Sequence, residues 1–180
     1  MPLHSVEALL DAATDAAVRR EWTALAEAGL PSQTAHRGPT NAPHVTLSVA
    51  TGVPDAVESR LAREVEALLP LAVRLGPPLV LGSRRFVLAR LVVPTEELLR
   101  LHAVVAEAMS AAPDVPEVVR AGRWTPHVTL ARGLESGQVG DALAALGRGG
   151  PFDGSIATVR RWDPTTRRAW PVGRKPTMEP

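Results

Sequence analysis

The pentapeptide Pro-His-Val-Thr-Leu occurs at residues 43–47 and again at residues 126–130. If about one position in fifteen matches at ordinary composition, roughly 16,000 position pairs yield on the order of 0.02 five-residue identities. Chance does not account for the repeat, so the fold must offer two equivalent places for one segment. The surroundings agree, because each copy follows a helical stretch and a loop rich in turn formers, and precedes a further helix and more strand.

The spacing of apolar residues predicts the elements in order. "LHSVEALL" (3–10) reads as a short strand, and a helix capped by Asp15 or Thr14 runs to about Ala28, where Gly29 and Pro31 stop it. After the loop "SQTAHRGPTNA", "HVTLSVA" reads as a strand with His44, Thr46 and Ser48 on one face and Val45, Leu47 and Val49 on the other. A helix from Asp55 to Leu69 leads to three short strands, "LAVRL", "LVLGS" and "RFVLARLVV", separated by Gly-Pro-Pro and Ser-Arg-Arg. The second half repeats the scheme with a helix from Thr95 to Ala111, the strand "HVTLAR" and a short helix near 137–146. It ends in a hairpin with Asp-Pro-Thr-Thr at its tip. Two similar β-α-β units related by a pseudo-twofold axis bring the two motif strands together.

Composition narrows the function classes. With 180 residues, 45% of them hydrophobic, the chain has the material for one compact domain or two small lobes sharing a core. Twenty basic against nineteen acidic residues leave a net charge of +1, too little for non-specific binding of long nucleic acid, so basic recognition has to be local. All the basic residues except Lys175 are arginines scattered along the chain, a pattern that fits a GC-rich genome better than a phosphate-binding stripe. The absence of cysteine removes disulfides, thiolate nucleophiles and thiolate metal sites together. No stretch approaches the ~20 apolar residues of a membrane span, and the N-terminal residues lack the pattern of a secretory signal, so a cytoplasmic protein is expected.

On a strand, residues two apart point the same way, so His44 with Thr46 and His127 with Thr129 are able to line one cleft. A facing pair of imidazoles activates a water and protonates a leaving alkoxide in one displacement, and threonine hydroxyls donate to the non-bridging oxygens of a phosphate between them. Phosphoester hydrolysis without a metal suits this set.

The paired His44-Val-Thr46-Leu and His127-Val-Thr129-Leu segments resemble the His-x-Thr-x motifs of the 2H phosphoesterase superfamily. Within it the chain is most similar to the 2′-5′ RNA ligase and RNA 2′,3′-cyclic phosphodiesterase family. The resemblance implies an α+β, bilobal fold, with two antiparallel sheets and flanking helices around a central cleft, spanning residues 1–180. It also implies hydrolysis of a 2′,3′-cyclic phosphate to a 2′-phosphomonoester, with no metal and no nucleotide cofactor. The expected partner is an RNA end or a small cyclic nucleotide bound by a monomer, not long double-stranded nucleic acid or a membrane.

Several residues carry two readings. Strict alternation puts Arg132 opposite His127, so it serves as a phosphate ligand only if the strand ends or bulges there. Trp124, just upstream of the second motif, either walls the substrate pocket or packs in the core. His102 reads as a packed helix residue, whereas His36, beside Arg37 before the first motif strand, is better placed than His4 to approach the cleft. The chain has no tyrosine, so a base-stacking surface has to come from its phenylalanines or tryptophans. Phe86 with Arg84 and Arg85 suits either RNA or an ordinary hairpin turn. Three rival functions remain: 2′-5′ RNA ligation through the same site, non-catalytic binding of RNA ends or nucleotides, and metal binding by His44 and His127. Two proton-transfer groups weigh against the second, and the lack of a nearby carboxylate or cysteine in either motif weighs against the third.

Overall fold

A computed structural model describes residues 2–147 and 149–173. Seven strands, β1 (His4–Leu10), β2 (His44–Ala50), β3 (Leu71–Leu81), β4 (Phe86–Val92), β5 (His127–Leu134), β6 (Phe152–Asp163) and β7 (Arg168–Pro171), alternate with four helices. These are α1 (Ala12–Glu27), α2 (Asp55–Val65), α3 (Glu96–Met109) and α4 (Gln138–Ala145). Among the described residues no helix is long and apolar enough to cross a membrane.

In place of the two sheets expected, the two halves β2-β1-β6-β7 and β5-β4-β3 are joined by hydrogen bonds into one antiparallel sheet of seven strands. One junction is β3–β6. The other is the pairing of β2 with β5, through Val45 and Val128. These are the same residue of the two pentapeptides, so the pseudo-twofold axis passes between them. Two of the helices cover the other half's motif strand, α1 packing on β5 and α3 on β2.

Helix α1 begins earlier than its apolar spacing indicates. Its cap is Asp11, not Thr14 or Asp15, because Asp11 ends β1 and its carboxylate accepts from the Ala13 and Thr14 amides at 2.9 and 3.0 Å. The same carboxylate accepts from the Ser155 amide at 2.6 Å, fastening α1 to β6. The approach is close enough to require glycine next door, since a Cβ on Gly154 would fall 2.1 Å from Thr14 Oγ1. The second helix gives way after Val65 to a 3-10 turn over Glu66–Leu68.

The Gly-Pro-Pro segment does not divide the strands around it. β3 runs through it as a bulge, with Leu75 opposite Val92 and Pro78 opposite Arg90, so one residue is surplus to the ladder and a proline without an N–H is tolerated. Opposite the bulge, the buried Arg90 donates to the Gly76 carbonyl at 3.0 Å and pairs with Glu21 of α1.

Candidate active site

Both motif strands bulge at the same residue of the pentapeptide. In β2, Thr46 pairs with Glu7 and Ser48 with Val6, leaving Leu47 surplus. In β5, Thr129 pairs with Ala89 and Ala131 with Leu88, leaving Leu130 surplus. Before the bulge alternation holds: Val45, Leu47, Val128 and Leu130 are fully buried, while His44, Thr46, His127 and Thr129 are half-buried on the opposite face. Because the strands are antiparallel about the Val45–Val128 pair, His44 falls beside Thr129 and His127 beside Thr46.

After the bulge the faces exchange. Ser48, expected beside His44, turns into the core, where its Oγ has no hydrogen-bond partner among the described residues. In β5 the matching residue, Ala131, turns into the core and the exchange brings Arg132, next along, onto the histidine face, where its Nη2 donates to Thr129 Oγ1 at 3.3 Å. A second bulge at Gly133, whose φ is +77°, follows at once.

The two imidazoles are held alike. His44 Nδ1 lies 2.7 Å from the Ala42 carbonyl and His127 Nδ1 lies 2.7 Å from the Thr125 carbonyl. A carbonyl only accepts, so Nδ1 carries the hydrogen in both rings and Nε2 is left for chemistry. Burial pushes the His127 pKa down; the Thr125 carbonyl opposes this, but positive charge on Arg132 and His44 adds to it. The neutral ring is therefore favoured at His127.

The environment of His44 differs through a residue that alternation and motif spacing do not single out. Glu7 Oε1 lies 3.7 Å from His44 Nε2. Glu7 is buried, accepts from Ser5 Oγ at 2.6 Å and from Arg160 Nε at 2.7 Å, and stands between Thr46 and Arg160 across the sheet. Burial, the strongest influence, raises its pKa, yet the charges of His44 and Arg160 and the bonds from Ser5 and Arg160 outweigh it and leave the carboxyl below its ordinary value. One signal in the sequence points to it: Glu7 is the lone charge in an otherwise uncharged apolar strand and lies in step with Ser5.

Two tryptophans brace the seam crosswise. Trp22 of α1 donates its indole N–H to the Thr129 carbonyl at 3.0 Å, and Trp124 donates to the Thr46 carbonyl at 2.9 Å. The Trp124 ring stacks on His102, with centroids 4.0 Å apart and planes inclined by 2°. His102 is itself buried, with its Nε2 3.0 Å from the Val119 carbonyl, and burial lowers its pKa against the bonds to Val119 and Leu47. Arg85 is bonded to the Gly133 carbonyl and paired with Glu135, so the 84–86 turn is tied to β5.

A cleft of about 560 Å³ opens on the histidine face. His44, Thr129 and Arg132 line it together with Glu7, Arg160 and the loop 35–42, which contains His36 and Arg37. Thr46, His127 and Trp124 are not among its lining residues; Thr46 and His127 lie next to it across the seam, beside Thr129 and His44. Among the described residues no group of three or more His, Asp or Glu side chains is placed to hold a metal ion.

A two-lobed α+β fold with a His-x-Thr segment on each of two paired central strands is that of a 2H phosphoesterase. The sequence matches the 2′-5′ RNA ligase superfamily over residues 14–168, and the chain belongs to that superfamily. Usb1 of Kluyveromyces marxianus has a similar fold, with a TM-score of 0.54 at 12% identity, covering 94% of this chain and 97% of that one. A second structure of the same protein, with uridine monophosphate, gives a TM-score of 0.52 at 16% identity over the same shares of the two chains. No curated protein matches the sequence significantly.

Proposed function

We propose that this protein hydrolyses 2′,3′-cyclic phosphates at RNA ends or in nucleotides, leaving a 2′-phosphate, with His44 and His127 as the acid/base pair. The observation that carries this reading is the matched pinning of both rings through Nδ1, with their Nε2 atoms on one face of the β2–β5 seam. His127, favoured as the neutral ring, takes a proton from the attacking water as its oxygen bonds to phosphorus. The bond from phosphorus to the 3′-oxygen breaks, and His44, whose Nε2 lies 3.7 Å from the Glu7 carboxylate, gives a proton to that oxygen. Thr46 and Thr129 donate to the non-bridging oxygens, and Arg132, held by Thr129 Oγ1, adds positive charge where the pentavalent phosphorus gathers negative charge. Trp124 acts on substrate only through Thr46. With a 5′-hydroxyl in place of the water, the same groups open the 2′,3′-cyclic phosphate into a 2′-5′ linkage as the bond to the 3′-oxygen breaks, and the superfamily's description favours this ligation as a second reading. The uridine monophosphate in one Usb1 structure supports a nucleotide-sized ligand.

The test is turnover of a 2′,3′-cyclic mononucleotide and of an oligonucleotide with a cyclic phosphate end, each with and without chelator. A 2′-phosphate product, insensitive to chelator and lost in His44→Ala and His127→Ala, is expected. Tight binding without turnover would leave a binding protein, and products joined 2′-5′ would favour the ligase.

A further inference from the structure

The cleft is more basic than the chain that forms it. Arg37, Arg132, Arg160 and Arg167 line it against a single carboxylate, Glu7, while the whole chain carries a net charge of only +1. Two of these arginines are already committed. Arg160 binds Glu7 through Nε and the Thr40 carbonyl through Nη2 at 2.8 Å, and Arg132 is engaged with Thr129 beside the reacting phosphate.

Arg37 and Arg167 differ. Both are exposed, and among the described residues neither forms an ion pair or a side-chain hydrogen bond. Arg20, Arg63, Arg84, Arg100 and Arg168 likewise form none among the described residues, but they lie outside this cleft, so it is the place of Arg37 and Arg167 in its lining that sets them apart. The two come from separate elements: Arg37 from the loop before β2, and Arg167 from the turn between β6 and β7, where its backbone holds φ at +55°. The cleft brings them together with the His36 ring and with Trp162 of β6. Two guanidinium groups lining one concave site, with no carboxylate of their own, suit a phosphate, which takes paired N–H donors.

We infer that Arg37 and Arg167 form a second anion subsite, which binds the phosphate on the 5′ side of the nucleotide whose cyclic phosphate lies between the histidines. This rests on the cyclic-phosphate reading given above and narrows its substrate class. The preferred substrate carries two phosphate groups, being either a 5′-phosphorylated cyclic nucleotide or the last two nucleotides of an RNA. Trp162 also lines the cleft and supplies an aromatic surface for the base between them.

The test compares kcat/KM on three substrates: a 2′,3′-cyclic mononucleotide with a free 5′-hydroxyl, the same compound with a 5′-phosphate, and a dinucleotide ending in a cyclic phosphate. The wild-type protein is expected to favour the second and third over the first by about 10–100-fold, a range set by one or two charge-assisted contacts. In the Arg37→Ala/Arg167→Ala protein that preference should fall to near 1. Preference for the dinucleotide over the 5′-phosphorylated compound identifies an internucleotide phosphate as the natural occupant; the reverse identifies a terminal one. Equal kcat/KM on all three substrates with wild-type protein, or a preference that survives the double substitution, overturns the subsite. Should no cyclic phosphate be turned over, the proposed reaction fails and the subsite is judged by calorimetry alone. A nucleoside 3′,5′-bisphosphate should then bind at least 10-fold tighter than the 3′-monophosphate, and equal affinities overturn it.

Discussion

Replacing Trp124 by Phe separates two roles for this residue, a brace for the seam or a platform for the substrate's base. The substitution keeps an aromatic ring against His102 but deletes the N–H that reaches the Thr46 carbonyl at 2.9 Å. A one-sided loss of this kind costs about 1–3 kcal/mol, because the acceptor is left without its donor, and the smaller ring adds to it. A destabilisation of about 2 kcal/mol corresponds to a fall in Tm of about 4–8 °C at this chain length. Thr46 lies beside His127 across the seam, so slack there should also lower kcat about 10-fold with little change in KM. Urea denaturation and steady-state kinetics on uridine and adenosine cyclic phosphates measure both effects. Unchanged stability together with a KM that rises and depends on the base would refute the brace and restore Trp124 to the substrate. Trp22→Phe, which removes the matching bond to Thr129, should behave in the same way.

Other expectations follow from the same geometry. The pH profile of kcat/KM should be bell-shaped. Since His127 must be neutral and its pKa is depressed, activity should persist as pH falls and be lost only below the ordinary histidine value of about 6.5. Arg132→Gln removes one of the charges that depress it, so the acid limb should move to higher pH; a limb that stays in place contradicts the assignment. Ser48→Ala should be neutral or stabilising by up to about 1 kcal/mol in urea denaturation, because it removes a buried hydroxyl without a partner and installs the residue found at the matching Ala131. His44→Ala and His127→Ala should each cost several orders of magnitude in kcat/KM, and the double variant little more than the worse single, as the proposed single displacement requires. Losses that multiply would indicate two independent sites.

The motif strands and most helix boundaries were legible because they depend on local signals: the alternation around His44 and His127, the Gly29 stop and the Thr95 cap, whose hydroxyl accepts from the Leu98 amide at 3.2 Å. What alternation misjudged lies beyond each Leu of the pentapeptides. A bulge comes from pairing with a second strand, so the turning of Ser48 inward and of Arg132 outward is not encoded in the period of β2 or β5 alone. The continuity of β3 through Gly76-Pro77-Pro78 escaped for the same reason, since whether a proline breaks a strand depends on whether its partner needs the missing N–H. Glu7 and the crossed tryptophans are contacts between elements far apart in the chain, and only the closed sheet brings them to the seam.

The repeat supplies symmetry, and the pairing partners then remove it where chemistry requires a difference. An acid and a base for one displacement must hold opposite protonation states, which two identical pentapeptides in identical settings would not provide. Register supplies the distinction. The residue across the sheet from Thr46 is Glu7, and the residue across from Thr129, at the equivalent place, is Ala89. Two positions past each bulge stand Val49 in the first half and Arg132 in the second. His44 therefore faces a carboxylate and His127 neighbours a guanidinium, although both rings are tethered by the same bond to a carbonyl two residues back. The identical letters fix where the imidazoles stand, and the non-identical residues opposite and beyond them give the two rings the unlike electrostatic surroundings that the proposed acid and base require.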